Sequence, residues 1–407
     1  METPPQASPL RPPPTLGKKL AFTAITLIPV VVAAYALGLI HRSVQLYRYA
    51  LSNQRGWVGR VFVDDPRLGF RHRPGGSGFE VFPEGEPIPT RLDPHGFRIP
   101  AQPSPSPPAP GPRPIVLAIG CSFTFGAACR AEDAFPFRVA QDLHGRCLNA
   151  GVSGYGLAQM DRTFDELLEA HRPTLVLVQY SPWLVDRAIS RFAPTYWGVL
   201  PTPYYVDQPD GSVSIHEPVF PSVNCAIDLG AYRGQPATFA GFASFFGRQG
   251  LPALLHDDWH LTVFRIKNLL GHFDRPTRDR LPLVRQVYGR MADACRNASA
   301  RMVVVAISGP VGRSDRELDA LRDLRAFPVV DADAALWSPL AERSTDAWTR
   351  AYAHWRGDPP TLVDPHPNPT AHRLIADAIM RAAREEANEG TDAPRATPAR
   401  RISGPTR

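Results

Sequence analysis

The chain has 407 residues, 43% of them apolar and 21% charged, an ordinary globular composition that excludes a fibrous or wholly disordered protein. Its 45 basic and 39 acidic residues leave a net charge of only +6, and arginine is spread along the whole chain. No basic stripe with interleaved aromatics appears, so the composition argues against a nucleic-acid partner.

In chain order, residues 1–19 open with a Pro-rich tail whose composition is that of a disordered segment. Residues 20–40, Leu20 to Ile40, carry no charge and are long enough to span a bilayer core of ~30 Å as a helix. The apolar run continues past Ala33-Ala34-Tyr35-Ala36, which favours an uncleaved anchor over a cleaved signal. Lys18 and Lys19 at the helix start favour an inside N-terminus, although Arg42, Arg48, Arg55 and Arg60 follow the span. Residues 41–114 read as a polar approach segment that ends in a proline-rich linker, Ala101 to Pro114.

From residue 115 the pattern alternates between short apolar runs and amphipathic stretches. Strands are predicted at Ile115–Ile119, Cys147–Ala150, Thr174–Tyr180, Met302–Ile307 and Pro328–Asp331. Helices are predicted at Asp133–Leu143, Leu157–Ala170, Leu281–Ala300, Asp315–Leu324 and Thr370–Ala387. Such alternation argues an α/β domain over 115–386, a parallel sheet covered on both faces. Residues 187–280 interrupt it with an aromatic-rich insertion, either a subdomain with its own core or a cap that binds an acyl chain, a sugar ring or the membrane surface. Residues 387–407 are predicted to form a disordered tail.

Two stretches carry chemistry. Gly120-Cys121-Ser122 follows the first apolar strand, where α/β enzymes expose a nucleophile at a sharp turn. A hydroxyl needs a base, and the base needs a partner that holds its tautomer. Asp364 and His366 supply both from one short loop stiffened by Pro365 and Pro367. His372, near the start of the following helix, is expected to cap or pack.

These residues resemble the SGNH (GDSL-like) hydrolases, of the membrane-anchored bacterial type. The resemblance is carried by Gly120-Cys121-Ser122-Phe123-Thr124-Phe125-Gly126, Asn149-Ala150-Gly151-Val152-Ser153-Gly154-Tyr155-Gly156 and Asp364-Pro365-His366-Pro367-Asn368. Asp65 to Phe70 and Gly96-Phe97-Arg98 add segments common in anchored members. It implies a flavodoxin-like three-layer α/β sandwich, a serine esterase with Ser122, Asp364 and His366 as triad, and an oxyanion hole from the Ser122 and Gly151 amides. It further implies a domain outside the cytoplasmic membrane, an O-acyl ester of a carbohydrate or lipid as substrate, and neither metal nor cofactor.

Two departures stand out. Cys121 replaces the usual acidic neighbour of the nucleophile, and the family's third-block asparagine is missing after Leu175–Tyr180. Gln179, Ser181 and the Trp183 indole are local candidates to replace that donor. The alternatives are an O-acyltransferase for an envelope polysaccharide and a catalytically silent binding protein. Five cysteines lack metal-ligand spacing, and Cys129–Cys147 or Cys225–Cys295 are candidate bridges.

Overall fold

The computed structural model describes residues 15–51, 56–102, 113–195, 198–223, 238–310 and 315–392. The chain divides into two compact units, one within residues 1–52 and the other from residue 53 onward.

The first unit is a single helix, α1 (Leu16–Leu51), with Pro29 inside it. Within Ala21–Leu51 its most apolar 18-residue window has a mean hydropathy of 2.2 and is unburied, long and apolar enough to cross a membrane. The helix runs beyond Ile40 because residues 41–51 contain neither glycine nor proline to stop it.

The second unit is built on one nine-stranded sheet in the order β1-β2-β3-β4-β6-β5-β7-β12-β13. β1 (Gly56–Asp65), β2 (Gly69–Val81), β3 (Ile88–Leu92) and β4 (Arg98–Ile99) pair antiparallel and join the core sheet where Arg98 meets Asn149. These four strands extend one edge of the core sheet. β2 hides in the sequence because Pro74-Gly75-Gly76-Ser77-Gly78 reads as a turn. In the fold Gly78 is a close-approach residue: a Cβ there would lie 2.1 Å from the Val58 carbonyl oxygen.

Next come β5 (Ile115–Ile119), α2 (Ser122–Phe125), α3 (Phe135–Asp142), β6 (Arg146–Asn149), α4 (Leu157–His171), β7 (Leu175–Tyr180) and α5 (Pro182–Ala188). The insertion holds the hairpins β8 (Phe192–Thr195)–β9 (Gly198–Pro201) and β10 (Tyr204–Asp207)–β11 (Val213–His216), then α6 (Phe239–Phe245) and α7 (Leu251–Leu269). The chain returns through α8 (Arg280–Asn297), β12 (Arg301–Ala306), α9 (Asp315–Asp323), β13 (Val329–Asp331), α10 (Ala332–Trp337) and α11 (Thr345–Tyr352). It closes with β14 (His354–Arg356), β15 (Thr361–Asp364) and α12 (Pro369–Asp392).

β6, β5, β7, β12 and β13 are parallel, so in chain order the core reads 2-1-3-4-5, the flavodoxin-like arrangement. Successive strand residues alternate between the two faces. Leu117, Ile119, Val176, Val178, Met302 and Val304 pack with α4, α5 and α8. Val116, Ala118, Leu175, Leu177, Val303 and Val305 pack with α3, α11 and α12. This is the three-layer sandwich expected from the alternation. A third cluster joins Trp57, Phe62 and Phe70 of the antiparallel strands to Phe125, three residues beyond Ser122.

Cys121, Cys129, Cys147 and Cys295 are free thiols, so the Cys129–Cys147 bridge does not form. Cys147 packs on the α3 face of the sheet, whereas the Cys129 thiol donates to the Pro367 carbonyl at 3.4 Å. Cys225 lies outside the described residues.

Candidate active site

β5 ends at Ile119 in the centre of the parallel core, with β6 on one side and β7 on the other. That is the switch point of the strand order, where a crevice opens at the carboxyl ends of the strands. Gly120 lets the chain turn there, because a Cβ would lie 2.0 Å from Thr124 Oγ1 and 2.5 Å from Gln179 Oε1. Ser122 opens the one-turn helix α2, which Gly126 closes with a left-handed φ of 80°. The first amides of a helix have no acceptor within it, so those of Ser122 and Phe123 are not used by the helix itself.

The second half of the site comes from the other end of the chain. Asp364 ends β15, pairs in register with His354, and is wholly buried. Asn368 clamps the loop: its Nδ2 donates to the Ala351 and Ala353 carbonyls, and its Oδ1 accepts from the Thr370 and Ala371 amides. Its own amide donates to the Tyr352 carbonyl at 2.7 Å, fixing the loop to the end of α11.

So held, Asp364 Oδ1 accepts from both the His366 amide and His366 Nδ1, each at 2.7 Å. With Nδ1 facing a carboxylate oxygen, the neutral ring carries its proton there and leaves Nε2 as acceptor. Ser122 Oγ lies 2.8 Å from that Nε2. The three side chains named from the sequence thus meet in one hydrogen-bonded line, with His366 17% exposed and Asp364 sealed beneath it. Phe123 stands edge-on to both His366 and Trp183, with ring centroids 5.1 Å apart in each case.

His372 takes no part in that line. It is fully buried, lies parallel to the Phe135 ring, and accepts the Phe135 amide at 3.3 Å. Burial drives its pKa down to about 3, so the ring is neutral.

The oxyanion donors differ from expectation. The Gly151 amide donates to Asn149 Oδ1 at 3.0 Å, while Asn149 Nδ2 donates to the Thr124 carbonyl at 3.0 Å. Gly151 is small because the β6–α4 loop passes tightly over α2, where a Cβ would sit 2.4 Å from the Phe125 nitrogen. Gln179 and Ser181 are equally committed. Gln179 Oε1 accepts from the Cys121 amide and Thr124 Oγ1, and its Nε2 donates to Ser181 Oγ at 2.8 Å. Ser181 Oγ donates in turn to the Ile307 carbonyl. Gln179, held by Ser181, braces the Cys121–Thr124 turn. Among the described residues the Trp183 indole N–H donates to a thiol, Cys121 Sγ at 3.5 Å, a weak acceptor that leaves this donor the least committed of the three.

One residue of the site was not singled out as functional from its type or spacing. Arg98 is fully buried and donates through Nη1 to the Phe125 and Gly126 carbonyls and through Nη2 to that of Cys129. Its guanidinium lies 4.2 Å from the Phe125 ring centre. The buried Glu80 accepts the Ala128 amide at 2.8 Å and supplies the opposing charge. Burial lowers Arg98 only to about 10, so it is cationic at neutral pH. The sequence signal is a charge set between Phe97 and Ile99. Among the described residues, no group of three or more His, Cys, Asp or Glu is placed to hold a metal ion.

No protein-family model matches the chain, and no curated protein matches it. Solved structures align over about two thirds of it. A variant of Axe2, an acetyl-xylooligosaccharide esterase from Geobacillus stearothermophilus, is 13% identical with a TM-score of 0.35, covering 66% of this chain and 93% of its own. A member of the lipolytic G-D-S-L family from Veillonella parvula DSM 2008 is 10% identical with a TM-score of 0.32, covering 66% and 96%. The psychrotrophic esterase EstA from Pseudoalteromonas sp. is 13% identical with a TM-score of 0.31, covering 67% and 98%. At such scores the likeness carries no weight for function, which is argued below from this chain's own residues.

Proposed function

We propose that the chain is a serine-dependent ester hydrolase of the SGNH type. The carrying observation is the line Ser122 Oγ–His366 Nε2 at 2.8 Å and His366 Nδ1–Asp364 Oδ1 at 2.7 Å. Ser122 Oγ attacks the ester carbonyl as His366 takes its proton. Collapse of the tetrahedral intermediate breaks the bond to the alcohol, which leaves with that proton from His366. Water, deprotonated by the same imidazole, then releases the acid from the acyl-enzyme and restores Ser122. Asp364 holds the tautomer and stabilises the imidazolium without itself taking a proton. In this reading the Ser122 amide at the head of α2 serves the developing oxyanion, with the Trp183 indole, held only by a weak thiol acceptor, as a candidate second donor.

The proposed substrate class is an O-acyl ester of a carbohydrate or lipid, with the domain proposed to lie on the extracytoplasmic side of a membrane. A fluorophosphonate probe should label the full chain, and Ser122→Ala should abolish the label. Label that persists in the variant refutes Ser122 as nucleophile.

A second reading is favoured by one observation. Gly151, Gln179 and Ser181 have all spent their donors on structure. Losing one oxyanion donor costs about 2.7–4 kcal/mol in the barrier, so a site short of two would bind esters with little turnover. Hydrolysis of p-nitrophenyl acetate no faster than that of Ser122→Ala would put the binding reading in place of the first.

A further inference from the structure

Helix α7 of the insertion turns one side inward. Phe264 packs edge-on against Phe192 with ring centroids 5.2 Å apart, and His260 stacks on Phe220 at 5.9 Å. Asp257 accepts from Ser222 Oγ at 2.7 Å and from the Val223 amide at 2.9 Å. With the buried Ala253, these positions recur every three or four residues and define the anchored side.

The opposite side is apolar and faces solvent. Leu255, Trp259, Ile266 and Leu269 are 43%, 66%, 56% and 87% exposed. They follow a three-four spacing down one stripe of the helix, completed by the exposed Thr262. Soluble surfaces carry single exposed apolar residues, but not an ordered stripe of four large ones. The exposed charges on α7 are Arg265 and Lys267, both positive, and they flank Ile266. An apolar stripe with a tryptophan and basic flanks is the chemistry of a helix that lies in the interface of an anionic bilayer.

The chain itself says which surface is at hand. α1 carries an apolar stretch long enough to cross a membrane, and only residues 41–55 separate the uncharged span ending at Ile40 from the start of β1. A domain tied to a bilayer by so short a connection meets that bilayer at an effective concentration near the millimolar range, so even a weak lipid-binding face is occupied.

We propose that α7 is a lipid-docking face, its Leu255–Trp259–Ile266–Leu269 stripe set into the interface of an anionic membrane with Arg265 and Lys267 on the phosphate groups. It rests on α1 anchoring the chain.

The test reconstitutes the full chain into vesicles of phosphatidylcholine with about a quarter phosphatidylglycerol, part of the phosphatidylcholine brominated on its acyl chains. The difference between the native chain and Trp259→Phe isolates the Trp259 signal. Bromolipid should quench that signal about twofold or more, and Leu255→Ser with Ile266→Ser and Leu269→Ser should abolish the quenching while p-nitrophenyl acetate turnover stays unchanged. A Trp259 open to acrylamide and untouched by bromolipid overturns the proposal. So does a Trp259 shielded from both, with cross-links between two copies of α7, because a second copy then occupies the stripe. Alkaline carbonate extraction separates the two readings: a chain released from the vesicles overturns the anchor and the docking together, whereas a retained chain with a water-facing Trp259 overturns docking alone.

Discussion

Replacing Arg98 with methionine should cost both stability and activity, although Arg98 makes no hydrogen bond to Ser122, Asp364 or His366. The methionine stem fills much of the same volume, so the loss is electrostatic rather than a cavity. Carbonyls of Phe125, Gly126 and Cys129 lose their shared cationic donor, and the buried Glu80 loses its opposing charge. Leaving a buried acceptor without its donor costs about 1–3 kcal/mol, and more where a charge is involved, so a loss of about 3 kcal/mol is expected here. Two of those carbonyls belong to the end of α2 and its left-handed cap. Their release loosens the backbone that holds Ser122 Oγ 2.8 Å from His366, and a misalignment worth 1.4 kcal/mol is about tenfold in rate. Urea unfolding of the full chain in detergent reads the first effect, with Trp57 as a local reporter because its ring lies 5.6 Å from Phe125. The rate of fluorophosphonate labelling reads the second. Arg98→Lys keeps the charge but not the fork that spans three carbonyls, and should fall between. An Arg98→Met chain within about 1 kcal/mol of the parent, labelled at the same rate, would refute this account of the nucleophile turn.

His366→Ala should abolish ester turnover, whereas His372→Gln should keep it while losing stability, as unfolding curves on both variants would show; the reverse pattern removes His366 as base. Burial holds His72 and His372 at about 3, well below the ordinary 6.5, so the unfolded chain binds protons that the native chain does not. Their contribution is therefore complete above about pH 6.5 and is lost as pH falls toward 3, about 2 kcal/mol per histidine by pH 5. His372→Gln should remove about 2 kcal/mol of the stability loss measured between about pH 7.5 and 5. Asp333 works in the opposite sense. Burial raises it to about 6 although it accepts the Ser308 and Gly309 amides, so its native form holds a proton that the unfolded chain loses from about 3.8 upward. Asp333→Asn should gain stability relative to the parent as pH rises from about 4 to 7, and a flat difference across that range would count against it. Trp183→Phe should slow turnover of p-nitrophenyl acetate by about tenfold or more if the indole serves the oxyanion, and an unchanged rate excludes that donor.

Much of the α/β core was legible because the information is local. β5 was expected at Ile115–Ile119 and is found there, and the expected helix at Leu157–Ala170 is one residue longer. Runs of apolar residues four to seven long, alternating with a helical period, state layer and class without reference to partners. The serine after a central strand and the Asp-x-His loop before a helix were legible for a similar reason: both are local arrangements.

What waited for tertiary structure is pairing. The 2-1-3-4-5 order arises only when strands choose neighbours, and it is that choice that puts Ser122 at the switch point. β2 was invisible because its glycines serve backbone approach in a neighbouring strand, while reading as a turn in isolation. Gly151 looked like an oxyanion donor, yet its amide is spent on Asn149, two residues away in sequence but oriented by contacts with α2. Arg98 had no local meaning until the chain brought the Phe125, Gly126 and Cys129 carbonyls around it. Hydrophobic period is written along the chain, but hydrogen-bond partners are set by three-dimensional proximity, and that is why the elements could be read beforehand and the donors could not.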